Sequence, residues 1–283
     1  MKIIDTASFF IDYYQPSLSF LSNYYNEFPE AFKEYFAYHC KDTEERHIQS
    51  INKYTEYLST IKQVHKNIVS IINEITDEYL KLYELEFPIE VNLIVGGFGS
   101  NAFTHRQIIP NITFALERLS PEMDHLKTIV AHEFGHAAHN ILSNKANVEW
   151  AKIQWENPLT WLYQEGAATH FSRNIVGGLN PSIYFSFNND GEEWLAFSEL
   201  NRNEIKMAFA EDYSTKSNEF IFREWFSIYG GEKYGYNRLG YFIGDMFFQD
   251  QISKFGEINA ILAWKSNNFE EKARKWLFEE NRQ

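Results

Sequence analysis

Apolar residues recur every three or four positions from Ile48 through Tyr54, Ile61, Ile68 and Ile75 to Leu82, a single stripe that predicts one long helix. Helical spacing prevails from about Ser8 to Leu85. Such a stripe packs on its own domain or serves as a partner-binding face. At Phe87-Pro88 the pattern changes. Ile89 to Val95 alternates toward a strand and stops at Gly96-Gly97-Phe98-Gly99, and Ser100–His105 and Ile108–Leu116 read as two further short strands. The glycines carry no Gly-Lys-Ser/Thr and no dinucleotide spacing, so they mark a turn rather than a phosphate cradle. Helical patterns return after Ser120-Pro121, with Ser120 as expected N-cap, and continue to the end. Breaks are expected near Gly177-Gly178, Asn188 to Gly191 and Gly230-Gly231.

The outline is α+β and mostly α. A helical N-terminal region, 1–86, precedes a catalytic domain, 87–283, with a small antiparallel or mixed sheet and an active-site helix pair, and the N-terminal region is expected to pack on it. Composition narrows the function. Lys and Arg number 26 against 39 Asp and Glu, a formal net charge of −13, which repels phosphate backbones and argues against nucleic acid as a partner. No stretch of about 18 apolar residues is present, so no membrane span is expected. One cysteine, Cys40, permits no internal disulfide, and the start of the chain shows no basic segment followed by an apolar run; a cytoplasmic location is the expectation.

His132-Glu133-Phe134-Gly135-His136 carries the chemistry. Residues four apart on a helix share a face, so both imidazoles can reach one metal ion, while Glu133, rotated off that face, can take a proton from a water on the metal. A catalytic zinc takes three protein ligands and leaves one position to water. The extended metzincin motif would need Gly and His where this chain has His139 and Leu142, so that class is excluded. The third-ligand candidate is Glu165, on a helix expected to start at Asn157-Pro158. Gly166, Ala167 and Ala168 beside it are small enough to admit another helix. His139 and His170 are rival ligands.

This set resembles a gluzincin zinc peptidase, the clan of thermolysin and the one-zinc aminopeptidases. The run Trp161 to Ala167 is similar to the aminopeptidase segment that bears the third ligand, and Ser100-Asn101-Ala102-Phe103 resembles the thermolysin edge strand that holds the substrate peptide. The layout also resembles uncharacterised bacterial proteins described as predicted zinc-dependent proteases. The match spans about Leu93 to Gly244. The resemblance implies Zn²⁺ on His132, His136 and Glu165, Glu133 as general base, and substrate alignment by Asn101, Ala102 and Phe103. Two features depart from thermolysin. Thr169 stands where an Asp orients the first histidine, and no distal histidine is apparent. The aminopeptidases use a tyrosine in a Tyr-x-x-Gly segment; Tyr241 to Gly244 matches it, with Asn237 as expected N-cap and Tyr234 or Tyr236 as alternative donors. The Gly-Ala-Met-Glu-Asn strand that anchors a free amine is absent, which favours endopeptidase or oligopeptidase action on peptide or protein substrates over amino-terminal trimming. The alternatives are a regulatory or binding protein on a peptidase scaffold and a zinc hydrolase of a non-peptide substrate. The sequence carries no signal for oligomeric state.

Overall fold

A computed structural model describes residues 1–279; the last four residues of the expected catalytic domain lie outside the described residues. The fold is α+β and mostly helical, with one four-stranded mixed sheet. The chain divides into two compact units, Met1–Ala137 and Ala138–Gln283, with the boundary inside one helix.

The first unit opens with strand β1, Lys2–Asp5, which the sequence pattern did not announce. Helices α1 (Ala7–Tyr13), α2 (Leu18–Glu27) and α3 (Pro29–Glu34) follow, then a π-helical turn, Tyr35–His39, and the long helix α4, Glu44–Tyr83. Thr43 caps α4 by accepting the Arg46 N–H. The apolar stripe is the buried face of α4: Tyr54, Ile61, Ile68 and Ile72 are fully enclosed, joined by Val64, while Ile48 and Leu82 at the ends are exposed. The stripe therefore belongs to this unit's own core and is not available as a partner-binding face.

Strands β2 (Glu90–Ile94), β3 (Ala102–Thr104) and β4 (Ile112–Ala115) lie where short strands were expected, within narrower limits. The order is β1-β2-β4-β3; the first two pairings are parallel and β3 runs antiparallel to β4 at the sheet edge. Between β2 and β3 the glycine turn is clamped by a carboxylate. Glu117 accepts N–H groups from Gly96 at 2.8 Å and Phe98 at 3.1 Å. The amides that would cradle a phosphate are already committed to a carboxyl group of the chain itself.

Helix α5, Met123–Lys145, begins after that segment. Ser120 does not cap it. The Ser120 hydroxyl accepts the Glu122 N–H at 3.3 Å and contacts His125 Nδ1 at 2.8 Å, forming a turn ahead of the helix instead. The second unit is helical: α6 (Pro158–Ile175), α7 (Ile183–Ser186), α8 (Glu192–Leu200), α9 (Arg202–Thr215), α10 (Asn218–Ile221), α11 (Leu239–Phe255), α12 (Glu257–Ile261) and α13 (Phe269–Phe278). The breaks fall near the three glycine-containing segments, as the pattern predicts. No described helix is long and apolar enough to cross a membrane.

Candidate metal centre

Helix α5 places His132 and His136 one turn apart, with ring centroids 4.9 Å from each other and planes at 88°. Helix α6 is set by its first residues: Asn157 accepts the Leu159 N–H at 2.9 Å and Pro158 occupies the first turn, as expected of an Asn-Pro start. Two turns further on stands Glu165. One ligand atom from each of His132, His136 and Glu165 lies within 4.8 Å of the others, and among the described residues this is the group able to hold a metal ion.

The residues fit zinc. Two imidazole nitrogens and one carboxylate oxygen are the donors of a three-ligand zinc site. Donors at ~2.1 Å from one tetrahedral ion stand ~3.4 Å apart, a spacing compatible with three atoms that lie within 4.8 Å of one another. His132 is buried, whereas His136 and Glu165 are only half-buried, which leaves the donor set accessible from one side. Glu133 follows His132 on the helix and is 8% exposed.

The long N-terminal helix bears directly on the motif helix. Tyr79 Oη donates to the Ala131 carbonyl at 2.7 Å, immediately before His132, and burial holds the Tyr79 phenol well above its ordinary pKa. Phe87 packs edge-on against Phe134 at 4.8 Å, and Lys127 pairs with Glu74 of α4. Tyr79 lies on the buried face of α4, and the sequence carries no signal for this second use of its hydroxyl.

The rival histidines are engaged elsewhere. His139 is fully enclosed, stacks on Trp264 at 4.2 Å and lies 2.9 Å from the Ile261 carbonyl oxygen. His170 meets Glu257 Oε1 at 2.8 Å, and burial lowers its pKa against the raising influence of that carboxylate. Thr169, one turn beyond Glu165, is also fully buried.

Tyr241 is half-buried in the first turn of α11, three residues before Gly244. Asn237 does not cap that helix. Its side-chain amide donates to the Ile228 carbonyl at 3.0 Å, and the residue at the cap position is Arg238 in the left-handed conformation. Tyr236 packs on Phe197 at 4.7 Å. Tyr234 packs on the same ring at 5.7 Å, and burial and acidic neighbours push its pKa up to about 12.

At the sheet edge, Asn101 Oδ1 accepts the Ala102 N–H at 2.9 Å, and the Asn101 carbonyl accepts the Ala115 N–H. That pairing phase turns the Phe103 backbone toward β4 and leaves the Ala102 carbonyl and the Thr104 N–H and carbonyl on the open edge. The Phe103 ring stacks on His39 at 3.6 Å; burial lowers the His39 pKa to about 4.

A family model described as "Putative zinc dependent peptidase (DUF5700)" matches residues 5–270. No curated protein and no solved structure matches the chain. The chain belongs to that zinc-dependent peptidase family.

Proposed function

We propose that this family member hydrolyses peptide bonds at a gluzincin-type centre in which His132, His136 and Glu165 hold zinc. One observation carries the reading: a His-Glu-x-x-His helix and a Glu on a separate helix bring three ligand atoms within 4.8 Å of one another, in a chain of a zinc-dependent family. Zinc there would supply Lewis acidity and a water of lowered pKa.

The remaining steps fall to the chain's own groups. A Glu133 carboxylate oxygen takes the proton of the attacking water and passes it to the leaving amine nitrogen. The Tyr241 hydroxyl donates a hydrogen bond to the oxygen of the attacked carbonyl as negative charge develops on it. The open edge of β3 pairs with the substrate backbone through the Ala102 carbonyl and the Thr104 N–H and carbonyl, as in strand addition. Asn101 holds the Ala102 amide out of that exchange, and Phe103 stiffens the strand through its stack on His39. The missing amine-anchoring strand favours endopeptidase or oligopeptidase action over amino-terminal trimming.

The test is metal analysis combined with cleavage of an unbiased peptide mixture, comparing the natural protein with Glu133→Gln. Both should bind one zinc, and only the natural protein should cut. General acid–base help is worth ~10²–10⁴ in rate, so the loss should reach that range. Zinc with no turnover on any peptide would transfer the reading to a binding protein on a peptidase scaffold. Equal turnover in both proteins would assign the base elsewhere.

A further inference from the structure

Arg238 stands immediately ahead of α11 with φ 57° and ψ 27°, a left-handed backbone that an arginine adopts only when its surroundings impose it. Its guanidinium carbon lies 5.5 Å from the centre of the Tyr241 ring and 5.7 Å from that of Phe187. Phe187 has the same unusual backbone, φ 57° and ψ 26°. Two strained residues thus face each other, and such strain gathers at binding and catalytic sites.

Beyond those two rings, the guanidinium has no hydrogen-bonded partner among the described residues. Arg238 Nε is buried without a hydrogen bond, and among the described residues no carboxylate or carbonyl is bonded to any of its nitrogens. Arg173 forms a two-point pair with Asp245, Arg223 pairs with Glu232, and Arg46 donates to the Phe98 carbonyl, whereas Arg106 and Arg274 lie over rings with no bonded carboxylate; among the described residues Arg238 alone of the arginines has a side-chain nitrogen buried without a hydrogen bond. In a chain with 39 acidic and 26 basic residues, carboxylates are abundant. A cation held between two rings and left without one is set up for an anion from outside. A planar fork of N–H donors matches a carboxylate at two points, and the apolar flanks strengthen that bond.

The position selects which carboxylate. Helices α6 and α11 run side by side in the same direction, with Gly244 against Leu162 and Gly166, and Phe248 against Gly166 and His170. Gly244 therefore lies level with Glu165. Arg238 precedes Gly244 by six residues, about 9 Å along the axis at ~1.5 Å per residue. An extended peptide advances ~3.3–3.6 Å per residue, so that offset spans two to three residues. We propose that Arg238 binds a substrate carboxylate two to three residues from the bond that is cut, and that the carboxylate is the free C-terminus, so that the protein releases short peptides from carboxyl ends. The inference rests on the peptidase reading above.

The test uses zinc-loaded protein and a randomised N-acetylated octapeptide pool, prepared as free acid and as C-terminal amide. Products are mapped by mass spectrometry. Cuts should cluster two to three residues from the free carboxyl end, with kcat/KM about 10- to 100-fold higher than for the amide pool, the range for losing a hydrogen bond to a charged group. Arg238→Asn, which tolerates the left-handed backbone, should bring the acid pool down to the level of the amide, while Arg238→Lys should restore part of the preference. Thermal melting checks that both variants fold. Cuts clustering beside internal Asp or Glu in both pools would assign the guanidinium to an acidic side chain and overturn the C-terminal assignment. Equal cleavage of both pools with no acidic preference, or a preference that survives Arg238→Asn, would overturn the proposal. Retention of the two pools on immobilised zinc-loaded Glu133→Gln protein separates this inference from the peptidase reading. Acid-selective, Arg238-dependent retention without hydrolysis in the natural protein would sustain carboxylate binding and sink catalysis. Equal retention of the two pools would sink the inference whatever the turnover.

Discussion

The backbones of Gly166 and Gly244 touch: a β-carbon on Gly166 would strike the Gly244 carbonyl, and one on Gly244 would strike the carbonyl of Leu162. The two glycines let α6 and α11 approach closely beside Glu165. Gly166→Ala and Gly244→Ala should each force the helices apart. Overpacking of this kind costs ~1–3 kcal/mol, so the melting temperature should drop by several degrees. Zinc affinity should fall in parallel, because the displaced turn carries Glu165. Unchanged melting and unchanged zinc binding would show that the helix contact is dispensable.

Glu165→Ala should weaken zinc binding by at least about 10²-fold, more than loss of an outer partner normally does. His170→Ala should keep one zinc per chain. His139→Ala should also keep the metal but melt earlier, since it removes the ring that stacks on Trp264. Titration with a competing chelator reads all three variants.

Tyr241→Phe should lower kcat by roughly 10²–10³ while KM barely moves, since the hydroxyl is asked to act only as charge builds on the attacked carbonyl. Full activity in that variant together with loss in Tyr236→Phe would move the role to Tyr236.

Glu117 offers a pH test away from the metal centre. Burial raises its pKa to about 7 from an ordinary 4.5, against the lowering effect of the Gly96 and Phe98 amides. The folded chain therefore holds this proton where the unfolded chain has lost it. That contribution is fully present below about pH 4.5 and disappears as pH rises through about 7. Between pH 5 and 8 the melting temperature of the natural protein should fall by more than that of Glu117→Gln. Parallel melting curves across this range would place the proton elsewhere.

Much of the frame was legible because its signals are local. The α4 stripe, the strand ending at the glycine turn and the Asn157-Pro158 start each depend on neighbours within one or two turns. The His132–His136 spacing is of the same kind, and Glu165 could be reached from its small neighbours. What escaped depends on distant partners. Residues Lys2 to Asp5 show no clean alternation because β1 is only half-covered on the sheet edge. Asn237 looks like a cap, yet its amide is drawn to the Ile228 carbonyl. Ser120 looks like another, yet its hydroxyl serves a turn before the helix. The lack of a hydrogen-bond acceptor at Arg238 among the described residues has no sequence signature at all, since it depends on what the fold brings near.

Strand β1 has a consequence for biosynthesis. Lys2 and its partner Glu90 stand 88 residues apart, and β1 joins the sheet only through β2. At ribosomal speeds of ~5–20 residues per second, β1 waits roughly 5–20 s for the strand it pairs with. Throughout that interval Thr6 and Tyr24 lack the Leu93 carbonyl and the Val95 amide that they will bond. A nascent chain in this window should recruit holding chaperones, and slowing translation ahead of residue 90 should lengthen the exposure rather than assist folding.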